Sequence, residues 1–159
     1  MTQQAQSEKK IQYYDAGGSV RTDLLSAYAE IVGKQLAEEK SIKFKSKGYF
    51  KITPTQLRRF FDDVKAMQRY IDQFQGNERE NAFKRKLPEI MMMRAKVSYA
   101  RGRDTVTDGF LSFINENMNS VKTAKDFDVF CKFFEAVYGF FSFHSASAAA
   151  NEQSQYSRR

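Results

Sequence analysis

The chain is poor in the residues from which most catalytic and metal sites are built. Its 159 residues include one cysteine, Cys131, and one histidine, His144. A single cysteine excludes a disulfide within the chain and any zinc site made of cysteines. The sequence also lacks a glycine-rich phosphate loop, a Gly-x-Ser-x-Gly elbow and a paired-histidine motif. We therefore predict that the chain is not an enzyme, has no catalytic residue and takes no metal or cofactor.

Long apolar runs are absent as well. The first ten residues, MTQQAQSEKK, lack the apolar stretch of a signal peptide. The longest uncharged run, residues 136–151, has 16 residues and ends in polar side chains, whereas a membrane-spanning helix needs about 20 apolar residues. We expect a soluble protein of the cytoplasm without a membrane partner. The lone cysteine lies in an apolar stretch, which fits a buried thiol in a reducing compartment.

Proline and glycine are scarce too, with two and eight residues. Such a sequence has few points at which a helix must end, and its periodic stretches are filled with residues that favour helices. The length suffices for one hydrophobic core. We predict an all-α fold, a compact bundle of about five to six helices in residues 20–144, with a flexible N-terminal arm over residues 1–19 and a disordered tail over residues 145–159.

Two capping patterns mark helix starts. In Thr53-Pro54-Thr55-Gln56, threonine caps the helix and proline takes the first helical position, where its missing N–H costs nothing. Thr123-Ala124-Lys125-Asp126 has the pattern of a capping box. We expect Pro88 to end or kink one helix and Gly102 to cap the end of another. Together with apolar periodicity, these signals predict helices over about residues 22–38, 53–75, 77–87, 89–101, 107–120 and 123–143.

The last predicted helix carries two apolar stripes. Phenylalanines at positions 127, 130, 134 and 141 lie in one stripe, and those at 133, 140 and 143 lie in the other. A surface helix of a monomer needs a single apolar stripe. The helix is therefore either the central helix of the core or part of an interface with another protein, and we favour the core.

Positive charge is confined to the middle of the chain. Residues 40–104 contain 17 basic and 7 acidic side chains, a net charge of +10, whereas residues 1–39 and 105–159 carry net charges of −2 and −1. A localised excess of this kind indicates a polyanionic partner. A solvated surface that keeps the protein soluble is the alternative. Within the segment, residues 42–52 alternate lysine with apolar side chains, which fits a short ribbon or an irregular loop, acting as an RNA contact or as a lid.

Several basic residues of the predicted helices share a face. Spacings of about two helical turns can follow a phosphate backbone, and a tyrosine among the cations can stack on a base or sugar. Acids on the same helix should neutralise some of these charges. The expected pairs are Arg58 with Asp62, Arg59 with Asp63, and Arg69 with Asp72. The candidate RNA-binding residues are Arg58, Lys65, Arg69, Lys84, Arg85, Lys86, Arg94, Lys96, Tyr99, Arg101 and Arg103.

Three segments, in order and spacing, resemble the small subunit of the type III-A CRISPR effector, the Csm complex. TPTQLRRFFDDVK at residues 53–65 is similar to that family's Thr-x-x-Gln-[Ile/Leu]-Arg-x-[Phe/Tyr] helix, which continues to Val-Lys. LPEIMMMRAKVSYARGR at 87–103 is similar to its stretch ending in Tyr-Ala-x-Gly-Arg, and FCKFFEAV at 130–137 to its closing Phe-Glu-Ala-[Val/Ile] helix. The resemblance spans about residues 50–143.

This resemblance implies a prokaryotic helical bundle whose copies stack head to tail beside the subunits that carry the crRNA. Such a subunit contacts crRNA and target RNA without reading sequence and cleaves nothing itself. Carried over by position, the backbone contacts fall on Arg58, Lys65, Lys96 and Arg103. The implied partners are both RNAs, the backbone and large subunits, and further copies of the chain. The alternative is a helical module for protein interactions that has no contact with nucleic acid.

Overall fold

The computed structural model describes residues 9–158 of the chain. It confirms the all-α fold: in this part of the chain, six α-helices surround a single core, and one two-stranded antiparallel ribbon is the only sheet. A short 3-10 helix, Asp23–Leu25, precedes the first α-helix. The elements are α1 Ala27–Glu38, β1 Ser41–Ile42, β2 Tyr49–Phe50, α2 Pro54–Ile71, α3 Gly76–Met91, α4 Met93–Gly102, α5 Asp108–Ser120 and α6 Ala124–Tyr156.

Helix α6 is the central helix of the bundle. Helices α1, α2 and α3 all pack against it. Rings from both of its apolar stripes are buried: Phe133 stacks on Tyr28 of α1 with ring centroids 5.8 Å apart, and Phe134 meets Phe61 of α2 at 5.5 Å. Because both stripes find partners within the chain, the prediction that this helix forms the core is confirmed.

Helices α1 and α6 approach each other closely at Gly33. A Cβ atom at this position would lie 2.8 Å from the Phe141 nitrogen and 2.8 Å from the Val137 carbonyl oxygen. Backbone atoms cannot move aside as the end of a flexible side chain can. A glycine is therefore required here by the contact between the two helices.

The two predicted helix starts are confirmed by their hydrogen bonds. The Thr53 hydroxyl accepts the Gln56 N–H at 3.2 Å, and Pro54 is the first residue of α2. At the start of α6, the Thr123 hydroxyl accepts the Asp126 N–H at 3.1 Å while the Asp126 carboxylate accepts the Thr123 N–H at 3.0 Å. Both caps satisfy N–H groups that a helix otherwise leaves without partners.

Two predicted helix ends differ from the structure. Pro88 lies inside α3, and the chain leaves that helix only at Met92, whose N–H still donates to the Pro88 carbonyl at 3.0 Å. Proline removes a hydrogen bond toward the preceding turn, but its own carbonyl can accept the next one. Gly102 is the last residue of α4, and the left-handed residue that turns the chain is Asp104, with a φ of +60°.

Residues 9–19 do not form the flexible arm that we expected. The Tyr13 ring is buried and its hydroxyl donates to the Asn117 side chain at 2.7 Å. The Tyr14 hydroxyl donates to Asp126 at 2.7 Å. Two aromatic side chains supply enough apolar area, and enough polar contacts at their tips, to hold a segment that has no helical pattern. The first part of the predicted arm lies outside the described residues.

The last helix does not end near Phe143, and residues 145–158 are not a disordered tail. Helix α6 continues to Tyr156. The extension contains no glycine or proline and has four alanines, the residue with the highest helix propensity. One side of it lies along the start of α2, where a groove is lined by Ser145, Ala149, Ile52 and Pro54.

Candidate nucleic-acid interface

The lysine-rich segment after α1 forms the ribbon, one of the two structures that its sequence allowed. The strands pair with Ser41 opposite Phe50, and the Lys43 N–H donates to the Gly48 carbonyl at 3.0 Å. Gly48 has a φ of +106°, a conformation that glycine adopts without strain. A two-residue ribbon needs support from the rest of the protein to persist, and that support comes from the end of α4.

Arg101 supplies part of this support and is not available to RNA, contrary to the prediction. Its side chain is only 4% exposed. The guanidinium donates to Asp108 at 2.6 Å and to the Ile42 carbonyl at 2.8 Å. It also lies 3.3 Å from Asp104 and 3.9 Å from the centroid of the Phe44 ring. The residue follows one turn after a buried valine of α4 and so points inward, where it joins α4, α5 and the ribbon.

Asp104 anchors the ribbon directly. Its carboxylate accepts the N–H groups of Phe44 at 2.8 Å and Lys45 at 3.0 Å. Aspartate tolerates the left-handed conformation of this position better than most residues do. The Phe44 N–H, together with the Lys45 N–H and the charge of Arg101, holds the pKa of the Asp104 carboxyl below its ordinary value. The carboxylate is thus fully occupied by contacts within the chain and does not face an incoming phosphate.

The opposite side of α4 faces solvent and carries three of the predicted site residues. Tyr99 is 67% exposed, and Arg103 donates to its hydroxyl at 3.1 Å. Lys96 lies 3.8 Å from Asp63 of α2, and both side chains are more than half exposed. The structure therefore brings Lys96, Tyr99 and Arg103 together on one exposed surface.

On the side of α2 toward α6, the predicted cations have acidic neighbours. Arg58 pairs with Asp62 at 3.6 Å, as expected. Lys65 lies 3.4 Å from Glu135 of α6. Both are surface ion pairs, which contribute about 0–1 kcal/mol. A phosphate can therefore compete for these two cations at little cost.

The other two expected pairs on α2 do not form. Asp63 faces the lysine of α4, and Asp72 pairs with Arg79 at 3.0 Å. Arg59 and Arg69 are exposed and form no salt bridge within residues 9–158. Two arginines therefore lack the acidic partners that we expected for them on the same helix.

The basic run of α3 lies beside α2, with Lys84 and Arg85 exposed and Lys86 partly buried. Lys84 is exposed without an acidic partner among the described residues. Arg85 lies 5.2 Å from the centroid of the Phe74 ring, and Lys86 pairs with Glu89 at 3.0 Å. Cations held over aromatic rings keep their N–H groups free on the outer side. This run therefore adds to the basic surface.

Arg94 faces the adjacent helix. Its guanidinium donates to the Asn115 carbonyl of α5 at 3.2 Å and to the Asn119 side chain. The side chain is partly buried between α4 and α5. Of the predicted RNA-binding residues, Arg94 and Arg101 are thus the two that the fold uses to join helices.

Six of the 17 basic residues between positions 40 and 104 pair with carboxylates, and the other 11 form no salt bridge in the described part of the chain. The lysines of the ribbon were not among the predicted RNA-binding residues, since residues 42–52 were expected to act either as an RNA contact or as a lid, and Arg59 was expected to pair with Asp63. The signal for the ribbon was present in the alternation of lysine with aromatic residues. The unpaired residues are Lys40, Lys43, Lys45, Lys47, Lys51, Arg59, Arg69, Lys84, Arg85, Arg94 and Arg103.

Other kinds of site find little support in residues 9–158. Nowhere in this range do three His, Cys, Asp or Glu side chains gather as a metal site requires. Burial raises the pKa of the Cys131 thiol, which keeps it protonated inside the core. None of the helices in the same range has the length and apolarity of a membrane span.

Comparison with known proteins agrees with the resemblance read from the sequence. The family model described as Csm2 Type III-A matches residues 20–147, from the residues before α1 well into α6. No curated protein and no solved structure matches the chain significantly. Csm2 is a family of structural small subunits. The chain therefore belongs to the Csm2 Type III-A family and is a small subunit of a type III-A CRISPR effector complex.

Proposed function

We propose that this subunit binds the crRNA and target RNA of the effector complex through their phosphates, without reading sequence and without cleaving either strand. The observation that carries the proposal is a set of ten basic residues between positions 40 and 104 that form no salt bridge within residues 9–158; Arg94 is left out of this set because it is hydrogen-bonded to α5. Cations without acidic partners are free to neutralise phosphates and release the counterions around them. That release supplies affinity for any RNA sequence.

The structure favours some of the predicted contacts over others. Arg103, Arg69 and Lys84 are exposed and unpaired, and Arg59 joins them. Of the remaining candidates, Arg58, Lys65, Lys86 and Lys96 have surface partners that a phosphate can displace, Arg85 lies over an aromatic ring, and Tyr99 is exposed beside Arg103. We leave Arg94 and Arg101 out of the binding surface, because their guanidinium groups already join α4 to its neighbours.

Contacts of this kind stabilise a guide–target duplex without selecting it. Side chains that reach phosphates fix the position of a protein on nucleic acid, whereas sequence is read at base edges. Base pairing between guide and target already provides the specificity of an RNA-guided complex. A small subunit that binds backbone can therefore serve every guide equally well.

We further propose that the chain packs against the backbone and large subunits and against copies of itself, as the family resemblance implies. Two exposed apolar side chains, Ile31 at 53% and Phe143 at 64%, lie on α1 and α6, outside residues 40–104.

The alternative function, a protein-interaction module without RNA contact, rested on the second stripe of α6. Val129 and Phe133 of that stripe are buried in the chain's own core, whereas Phe143 is exposed. Efficient crosslinks from RNA to residues 58–103 would exclude this alternative.

A paired set of charge variants tests the proposed RNA contact. The double variant Lys96→Ala/Arg103→Ala, assembled into the effector complex, should bind unrelated target sequences with equally reduced affinity. The slope of log affinity against log salt should fall by about 1 to 2, because each lost phosphate contact accounts for about 0.7 to 0.9. The matched control is Lys34→Ala/Lys132→Ala, which removes two exposed lysines outside the basic segment. An unchanged affinity and salt slope in the first variant would contradict the proposal.

A further inference from the structure

The tip of the ribbon exposes aromatic rings that the proposed phosphate contacts do not use. Phe44 is 67% exposed and Tyr49 is 66% exposed. Most proteins bury rings of this size, because each carries a large apolar area. Residues 40–51 contain five lysines and no acidic residue. Exposed rings therefore occur together with lysines that form no salt bridge within residues 9–158.

The Phe44 ring is held from one side. The guanidinium carbon of Arg101 lies 3.9 Å from the ring centroid, and the arginine is itself fixed by Asp108 and the Ile42 carbonyl. A cation against one face of a phenyl ring fixes the plane of that ring. Since two-thirds of the side chain is exposed, the other face is open to solvent. Phe44 thus presents a flat apolar surface in a set orientation.

Tyr49 is turned outward by the pairing of the strands. It lies opposite Ile42, which is 60% exposed, while the neighbouring pair places Ser41 inward at 3% exposure. Side chains directly opposite each other in an antiparallel pair lie on the same face. Within residues 9–158, the Tyr49 ring takes part in no aromatic pair and no cation–π contact. Its face is available to a ligand.

The ribbon does not need to become ordered when a ligand binds. The Asp104 carboxylate holds the N–H groups of Phe44 and Lys45, and Arg101 holds the Ile42 carbonyl. A site that is already in position loses little conformational entropy on binding. The exposed rings therefore belong to an organised surface.

Base-paired RNA does not match this surface, whereas single-stranded RNA does. Bases in a duplex present only their edges in the grooves, but unpaired bases offer flat faces that stack on aromatic side chains. We propose that the ribbon tip is a stacking site for unpaired bases of single-stranded RNA. Phe44 and Tyr49 stack on the bases, and Lys43, Lys45 and Lys47 bind the flanking phosphates. The inference rests on the proposed function and adds to it a preference for the unpaired state.

The test compares two strands with equal charge, measured by fluorescence anisotropy with the full chain. One is a short oligouridine, and the other is the same sugar-phosphate backbone without bases. The chain should bind oligouridine about tenfold more tightly. The variant Phe44→Leu/Tyr49→Leu keeps apolar bulk but removes the rings, and should bind both strands as weakly as the unmodified chain binds the abasic strand. The control Ile42→Ala should keep the preference.

The results separate the two proposals. Equal binding of both strands by the unmodified chain, or a full preference retained by the leucine variant, would overturn the stacking site while leaving the phosphate contacts standing. The variant Lys45→Ala/Lys47→Ala should bind both strands with equally reduced affinity, and the slope of log affinity against log salt should fall. A wholly salt-independent affinity would instead count against the proposed function. Preferential binding of an acidic peptide over oligouridine would assign the tip to a protein partner and overturn the inference.

Discussion

Replacing Arg101 by alanine should destabilise the chain strongly, because its buried guanidinium joins α4, α5 and the ribbon. The change removes hydrogen bonds from a charged donor to Asp108 and to the Ile42 carbonyl, each of which contributes about 1.5–3 kcal/mol. It also removes the contact with the Phe44 ring, which adds about 1 kcal/mol. Because Asp108 is 61% exposed, water replaces part of the loss, and we expect a net cost of about 3 kcal/mol.

For a chain of this length, a loss of about 3 kcal/mol lowers the Tm by about 6–12 °C. The assay is urea and thermal unfolding followed by circular dichroism. Arg103→Ala is a matched control: it removes the same charge two residues away, but Arg103 is exposed and its loss should change the free energy of unfolding by less than about 0.5 kcal/mol. At a temperature where the variant is folded, Arg103→Ala should lower the affinity for RNA. A destabilisation by Arg101→Ala below about 1 kcal/mol would refute the reasoning.

Two further predictions concern the ribbon anchor and the core. Because the pKa of Asp104 is lowered in the fold, its anchoring is complete above the ordinary carboxyl pKa of about 3.9 and is lost as the pH falls through the lowered value. The protection factors of the Phe44 and Lys45 amides against hydrogen exchange should fall in that range, and Asp104→Ala should lower them at every pH. Gly33→Ala should destabilise the chain by about 1–3 kcal/mol in urea unfolding, since its Cβ would meet backbone atoms of α6. Gly139→Ala, where a Cβ meets nothing within 4 Å, should be neutral or stabilising, and equal effects of the two would contradict the close contact.

The helices could be predicted because their signals are local. Threonine caps and apolar spacing at Thr53 and Thr123 act within one turn, and the structure keeps both starts. The extension of α6 beyond Phe143 was missed because alanine-rich low-complexity sequence resembles a mobile tail, although its helix propensity is high. The order of residues 9–19 was missed because it depends on Asn117 and Asp126, which are more than 100 positions away.

The candidate site could be predicted as a region but not residue by residue. Charge excess depends only on sequence, so residues 40–104 were found correctly as the basic segment. Which cations remain unpaired depends on contacts between helices. Asp63 faces Lys96 of another helix and leaves Arg59 free, and Arg101 turns inward because α5 and the ribbon meet there. Periodicity places a residue on a face of its helix, but only tertiary packing decides what that face meets.

The contacts that hold the ribbon also affect the order in which the chain folds. They join residues 59, 60 and 67 positions apart: Ile42 with Arg101, Phe44 with Asp104, and Ser41 with Asp108. Contacts of this kind form late, because closing a long loop costs conformational entropy that is lost before the contact can stabilise the chain. We therefore expect α4 and α5 to dock before the ribbon gains its shape. A newly synthesised chain would then acquire the proposed stacking surface only after α4 and α5 have docked, so that subunits in which these helices are still apart would not compete for RNA through it.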